Sequence, residues 1–316
     1  MRGSVLVLVC AWIALSPLPV AAQTGETAGV ITEIKPGRGR VEMKPAAGVD
    51  WRPARPLLAL RAGDSVRTSD NATAVVLLSG GRGAVRIGGT TPTYTVPAAA
   101  AAGQGQKAKA LVEASLGFLA GTTTESSQAV LATRSASRPP LIVSPRNGRV
   151  LPDALFFEWL GGRFTRYSVR ITGPGGAVVE QREVTGAHWE YPAAAPALSP
   201  GVRYTLQVTA SGQPPQQAWF EVVDAEQAKK VAANLAELDQ ELGANVSPTS
   251  RAVLRAGLLA EEGYLHDARR VVVAALAKDR DEPTLHLLLG DLYTRTGLKE
   301  LAAESFEEAQ FLSGKP

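Results

Sequence analysis

The sequence predicts a multidomain protein: two all-β units in succession, the second a β-sandwich, and then an α-helical solenoid, all behind a short export leader. Three observations carry this. The first is a change of texture near residue 224, before which lie 25 of the 31 glycines, 18 of the 21 prolines and all five tryptophans. Short strands joined by turns use Gly and Pro, whereas helix interiors exclude them, so the front reads as β and the rear as α. The second is a pair of compositional breaks, "PAAAAAGQGQKAKA" at 97–110 and "SASRPP" at 135–140, which read as a loop and a linker. The third is an internal repeat of 34 residues that fills 249–316. The predicted boundaries are a leader at 1–22, β units at 23–138 and 139–224, and a helical unit at 225–316.

The leader follows the rules of export. Arg2 supplies the positive end, "VLVLVCAWIAL" (5–15) the apolar stretch, and "VAA" (20–22) the small residues before a cut after Ala22. Its apolar run falls short of the roughly 20 residues that span a bilayer, so no stable membrane span is expected after cleavage. The expected address is periplasmic or secreted. Cys10, the one cysteine, sits inside the apolar run rather than at its end, which argues against lipidation. Without it the mature chain has no disulfide, thiolate nucleophile or cysteine-held zinc. The formal charge of +3 falls to +2 without Arg2, too little for a nucleic-acid partner. Its distribution is uneven, with ten Lys/Arg against six Asp/Glu over 23–96 and eleven against fifteen over 225–316.

In the first unit, "AGVITEIKPGRGRVEM" (28–43) reads as two strands around Pro36-Gly37 and Gly39. "VRTSDNATAVVLLSGGRGAVRI" (66–87) reads as a turn, a strand, a glycine turn and a strand with Val85 and Ile87 on one face. Asp64 follows Gly63 in a bend, where a carboxylate accepts backbone N–H groups. General acid–base chemistry would need a second titratable group beside it, and His188, His266 and His286 all lie in other units. Residues 60–68 (LRAGDSVRT), with the alternating run and glycine turn after them, resemble the FecR-like domain of bacterial envelope proteins. "WRPARPLLAL" upstream and "SLGFLAG" and "AVLATR" downstream fit the same pattern, over about 25–135. The sequence departs from the family at Gly80-Gly81, where Asp-Gly is usual, and at "AVLATRSAS", which lacks the Gly-rich end. Family members that regulate sigma factors add a cytoplasmic helical segment and a membrane span. Here a signal peptide leads into the domain, so direct control of a sigma factor is not implied.

In the second unit, strands are predicted at 141–145, 155–160, 166–172, 177–184, 203–210 and 218–223, six or seven in all, separated by polar or Pro/Gly turns. Trp159 and Trp219 are expected in the core; Trp189, beside His188 and Tyr191, is the one candidate for exposed stacking on a sugar, but packing is favoured for it too because aromatic residues dominate sandwich cores. No carboxylate pair accompanies them at a spacing suited to glycoside hydrolysis. "LSPGVRYTLQV" (198–208) resembles the corner and following strand of a fibronectin type III or Ig-like domain, with Tyr204 at the family's tyrosine position.

In the helical unit, residues 249–282 align over 283–316, pairing Ala256 with Gly290, Gly263 with Gly297, Ala268 with Ala302 and Ala275 with Ala309. Small residues let antiparallel helices approach, Leu259/Tyr293 and Val272/Phe306 fill the space beside them, and the paired glycines make the turns. "AEQAKKVAANLAELDQELG" (225–243) carries Val231, Leu235, Leu238 and Leu242 at helical spacing and should pack on the first copy. The pattern is identified as a pair of tetratricopeptide repeats. That resemblance implies a groove lined by Ser250, Val253, Gly257, Ala260 and Glu261, then Thr284, Leu287, Asp291, Thr294 and Arg295. Of these, Val253, Leu287, Asp291, Thr294 and Arg295 are the candidate partner-binding residues. An apolar end at Phe311 and Leu312 is expected to favour dimerisation or a partner.

Other constellations point nowhere specific. "KDRDEP" (278–283) lacks the glycine and distant glutamate of a calcium loop. His266 and His286 lack a third ligand, and no phosphate loop, nucleophile elbow or zinc-protease motif occurs. The expectation is a non-enzymatic bacterial cell-envelope adaptor or scaffold without metal or cofactor. It would hold envelope proteins through its C-terminal repeats; the alternative is a peptidoglycan- or polysaccharide-binding module.

Overall fold

The structure, a computed structural model, describes residues 27–80, 82–98, 106–122, 139–152, 155–161 and 164–314. The expected leader and the "AVLATR" segment lie outside the described residues. β-Sheets fill the N-terminal part and helices the C-terminal part, and among the described residues no helix is long and apolar enough to cross a membrane.

The first unit has β1 (Gly29–Lys35), β2 (Val41–Lys44), β3 (Arg52–Pro53), β4 (Ala59–Leu60), β5 (Ser65–Thr68), β6 (Thr73–Leu78), β7 (Ala84–Ile87) and β8 (Thr93–Thr95). They form two antiparallel four-stranded sheets, ordered β4-β1-β6-β7 and β3-β2-β5-β8. Alternation sends Ile31, Ile34, Val66, Val76 and Ile87 into one core. Asp64 is buried in the bend before β5, its two oxygens accepting from the backbone N–H of Ala46 at 2.9 Å and of Arg61 at 2.8 Å. This is the turn chemistry expected of it. A register shift between Ile31 and Glu33 on β1 lets the adjacent Thr32 and Glu33 both reach the helical unit.

Helix α1 (Gln106–Ala120) corrects two expectations. Residues 106–110 are helical, not loop, and 106–120 place a helix inside the 23–138 unit expected to be all-β. Leu111, Ser115 and Leu119 recur every four residues, with Val112 and Leu116 beside them, and all five are buried. The alanine-rich lead-in concealed this period.

The second unit has β9 (Leu141–Ser144), β10 (Gly148–Val150), β11 (Phe156–Leu160), β12 (Arg166–Thr172), β13 (Val178–Thr185), β14 (His188–Glu190), β15 (Arg203–Ala210) and β16 (Gln216–Val222). A five-stranded sheet, β10-β16-β15-β12-β13, accompanies a three-stranded one, β14-β11-β9, and among the described residues only β10 and β16 pair in parallel. Phe157, Trp159, Tyr167, Val169, Leu206 and Phe220 share the core. The Tyr204 hydroxyl accepts from the Ser199 backbone N–H at 2.7 Å and ties the preceding corner to the strand.

The helices are α2 (Ala225–Leu242), α3 (Pro248–Glu261), α4 (Leu265–Leu276), α5 (Pro283–Arg295) and α6 (Lys299–Leu312). Asp224 and Ser247 cap α2 and α3 by accepting from Gln227 and Ser250 backbone N–H groups. The turns of the two hairpins repeat in their hydrogen bonds. Tyr264 N–H donates to Leu259 O at 2.7 Å, and Leu298 N–H donates to Tyr293 O at 2.8 Å. Gly263 (φ +87°) and Gly297 (φ +78°) supply the left-handed residue this closure needs. The largest core is shared. It joins the helices to α1, to Val30, Leu57 and Leu77 of the first unit, and to Val143 and Val223 of the second.

Candidate interaction face and its junctions

The five candidate partner-binding residues lie on α3 and α5, and the structure divides them. Val253, Leu287 and Asp291 are buried, while Thr294 and Arg295 are exposed at the C-terminal end of α5. Asp291 accepts from Arg295 Nε at 2.6 Å, which holds the guanidinium over the Phe118 ring of α1 at 4.4 Å. Of the remaining groove positions, Ser250, Thr284, Gly257 and Ala260 are also buried, and Glu261 is exposed. Two segments of the same chain cover this face.

The first is β1, which is held by polar contacts. The Glu33 carboxylate meets the N-terminus of α3, accepting from the Ser250 N–H at 3.2 Å, from Ser250 Oγ at 2.5 Å and from the Ser247 hydroxyl. Thr32 Oγ1 and Ser250 Oγ lie 2.8 Å apart. Glu282, which caps α5, accepts from the backbone N–H of Thr284 and of Ile34, each at 3.3 Å, and Lys35 pairs with Asp279 at 2.7 Å. The Asp279 hydrogen bond raises the Lys35 pKa, against the opposing effect of burial. Glu282 is fully buried and its Oε2 has no well-aligned partner. Burial pushes its carboxyl up to about 7, and nearby Glu33 adds to the rise while bonds from Thr284 and Ile34 oppose it.

The second is α1, which lies against α3. A Cβ on Gly257 would stand 3.1 Å from the Ser115 carbonyl oxygen and 3.2 Å from Leu119 Cγ, so the glycine permits the close approach.

A separate junction joins the sandwich to α4. Asp267 accepts from the Leu151 N–H at 3.1 Å, Arg269 pairs with Glu158 at 2.9 Å, and Arg149 donates to the Glu262 carbonyl at 2.6 Å. Here Ser144 Oγ and His266 Nδ1 lie 2.5 Å apart. Such a pair invites comparison with an activated nucleophile, but burial, with Arg270 and Arg269 adding to it, drops the histidine to about 3. A base that weak does not take a serine proton at neutral pH, and the adjoining cavity of about 10 Å³ admits no substrate. The pair is a fastening.

Of the sandwich tryptophans, Trp159 and Trp189 are packed as expected and Trp219 is not. Trp189 is buried and stacked on Phe157 at 5.2 Å. Trp219 is half-buried on the outer sheet face, with Arg203 over its ring at 4.1 Å. Its neighbours Gln217 and Glu221 share its phase along β16, opposite Ala218, Phe220 and Val222, so alternation held the right answer. Trp51 is half-buried, with Arg67 at 4.2 Å and Lys44 at 5.4 Å from its ring centroid. His286 bonds the Arg280 carbonyl, and among the described residues no cluster suited to a metal ion occurs. Phe311 is exposed and Leu312 half-buried. Glu33, Glu282, Ser144 and His266 escaped sequence reasoning because their partners are 122 or more residues distant.

No family model matches the chain, and no curated protein matches it.

Proposed function

We propose that the protein is a non-enzymatic bacterial cell-envelope adaptor. It comprises a FecR-like unit, a fibronectin- or Ig-like sandwich and two tetratricopeptide repeats, exported after cleavage near Ala22. The repeat reading is supported by the turn geometry that recurs after 34 residues. The sandwich reading is supported by its strand order and the Tyr204 corner, and the FecR-like reading by the LRAGDSVRT bend held through Asp64.

The observation that carries the adaptor reading is where the buried ionisable groups are used. Glu33, Glu282, His266, Asp267 and Arg269 each fasten one unit to another. Such wiring holds surfaces in fixed relation, which is the work of a scaffold. The alternative, a cell-wall polymer-binding module, draws on Trp51 with its two neighbouring cations rather than on the buried Trp189.

The full mature chain, carrying a photo-crosslinker at exposed Thr294, should give a discrete protein adduct in an envelope extract. Co-sedimentation with purified cell-wall polymer that Trp51→Ala abolishes, without any adduct, would favour the alternative. Hydrolysis of that polymer by the pure chain would refute the non-enzymatic reading.

A further inference from the structure

We infer that the α3–α5 face is a groove for an amphipathic helix of another protein, and that α1 is its built-in competitor. This rests on the adaptor reading and adds to it the class of partner and a means of control.

The two segments covering the face are held differently. β1 is bonded into it through Thr32, Glu33 and the Ile34 N–H, so withdrawing β1 would strand buried polar groups on both sides. α1 is held by apolar contact and by the Arg295 guanidinium over Phe118, and that guanidinium is also bonded to Asp291 of its own helix. Leu111, Val112, Leu116, Phe118 and Leu119 are buried in the shared core. Its buried hydroxyl, Ser115 Oγ, donates to the Leu111 carbonyl of its own helix at 2.8 Å. Its ion pair, Lys107 with Glu237 at 2.6 Å, lies at the surface. An apolar helix can therefore be exchanged for another of the same pattern without leaving an unpaired polar group behind.

α1 is also weaker than its packing requires. Gly117 lies within the helix on its exposed side, and no atom stands within 4 Å of where its Cβ would be. An alanine would fit there and would favour the helix about fivefold.

The occupant defines the partner. The groove takes a helix with a small residue over Gly257, as Ser115 is here. It also requires aliphatic residues four and three positions before that residue and one and four after it, matching Leu111, Val112, Leu116 and Leu119.

The probe is a labelled synthetic peptide of residues 106–122, titrated into the full-length chain. Gly117→Ala in the chain should strengthen the internal competitor and lower peptide affinity about fivefold. Leu119→Ala in the chain should weaken the competitor and raise affinity tenfold or more. Native-state hydrogen exchange on the unaltered chain should show α1 amides opening more readily than those of α3. Peptide affinity indifferent to both substitutions would overturn the proposal. So would α1 amides that open only with the whole molecule, and that measurement decides the matter should Leu119→Ala fail to fold. An envelope adduct without peptide competition would leave the adaptor reading standing and remove this one; competition without an adduct would do the reverse.

Discussion

Glu282→Gln tests how the first unit is joined to the helices. In the folded protein the carboxyl sits near 7, against 4.5 for an ordinary glutamate, chiefly because it is buried and also because Glu33 is close. A carboxyl that binds its proton more tightly when folded supports the fold most below about 4.5, and that support is lost as pH rises through about 7. The difference corresponds to about 3 kcal/mol at roughly 1.4 kcal/mol for each pH unit. A glutamine retains the oxygen that accepts from Thr284 and Ile34 and carries no charge at any pH. The variant should therefore match the unaltered chain near pH 4 and exceed it by about 3 kcal/mol near pH 8. In urea unfolding this is a midpoint rise of about 1 M at the alkaline condition. Taking the difference between the two proteins at each pH cancels titrating groups that do not act on Glu282, such as His266. An equal gap at both values, or none at pH 8, would show that Glu282 does not titrate in this junction.

His266 acts in the opposite direction. Its folded pKa of about 3 lies below the ordinary 6.5, so the support it gives is complete above about 6.5 and lost as pH falls through about 3. His266→Asn keeps an acceptor for Ser144 and removes the titration, so it should recover about 2 kcal/mol of relative stability on moving from pH 7 to pH 5. An unchanged acid limb in thermal melts would count against this account. Gly290→Ala places a Cβ 2.5 Å from the Phe306 ring, and overpacking there should cost about 2 kcal/mol and several degrees of melting temperature. A neutral result in calorimetry would mean that the α5–α6 hairpin yields more easily than its contacts imply.

Local chemistry was readable in the sequence, and long-range chemistry was not. The strands at 166–172 and 203–210 alternate along their whole length and were placed to the residue. The helical hairpins declared themselves through small residues and turn glycines at a fixed interval. Strands β10 and β14, with three residues each, are too short for alternation to register. α1 was missed because its alanine-rich start reads as low complexity and because the FecR-like resemblance put the whole of 23–138 in a β unit. The groove positions followed from the repeat, but nothing local reveals that residues 32–34 and 106–120 fill the groove. Thr32 and Ser250 are 218 positions apart.

That filling separates two uses of one surface. A polar contact across a buried junction must be satisfied on both sides, so it fixes position and penalises departure in proportion to what it strands. An apolar contact requires only matched shape, so a helix of the same pattern can replace it. At the start of α3 the polar residues Ser247 and Ser250 meet β1, and Gly257 meets α1 about two to three turns further on. The permanent and the exchangeable attachments are thus laid end to end on one helix. A ligand can compete with α1 while Glu33 and Glu282 still hold the first β unit in place.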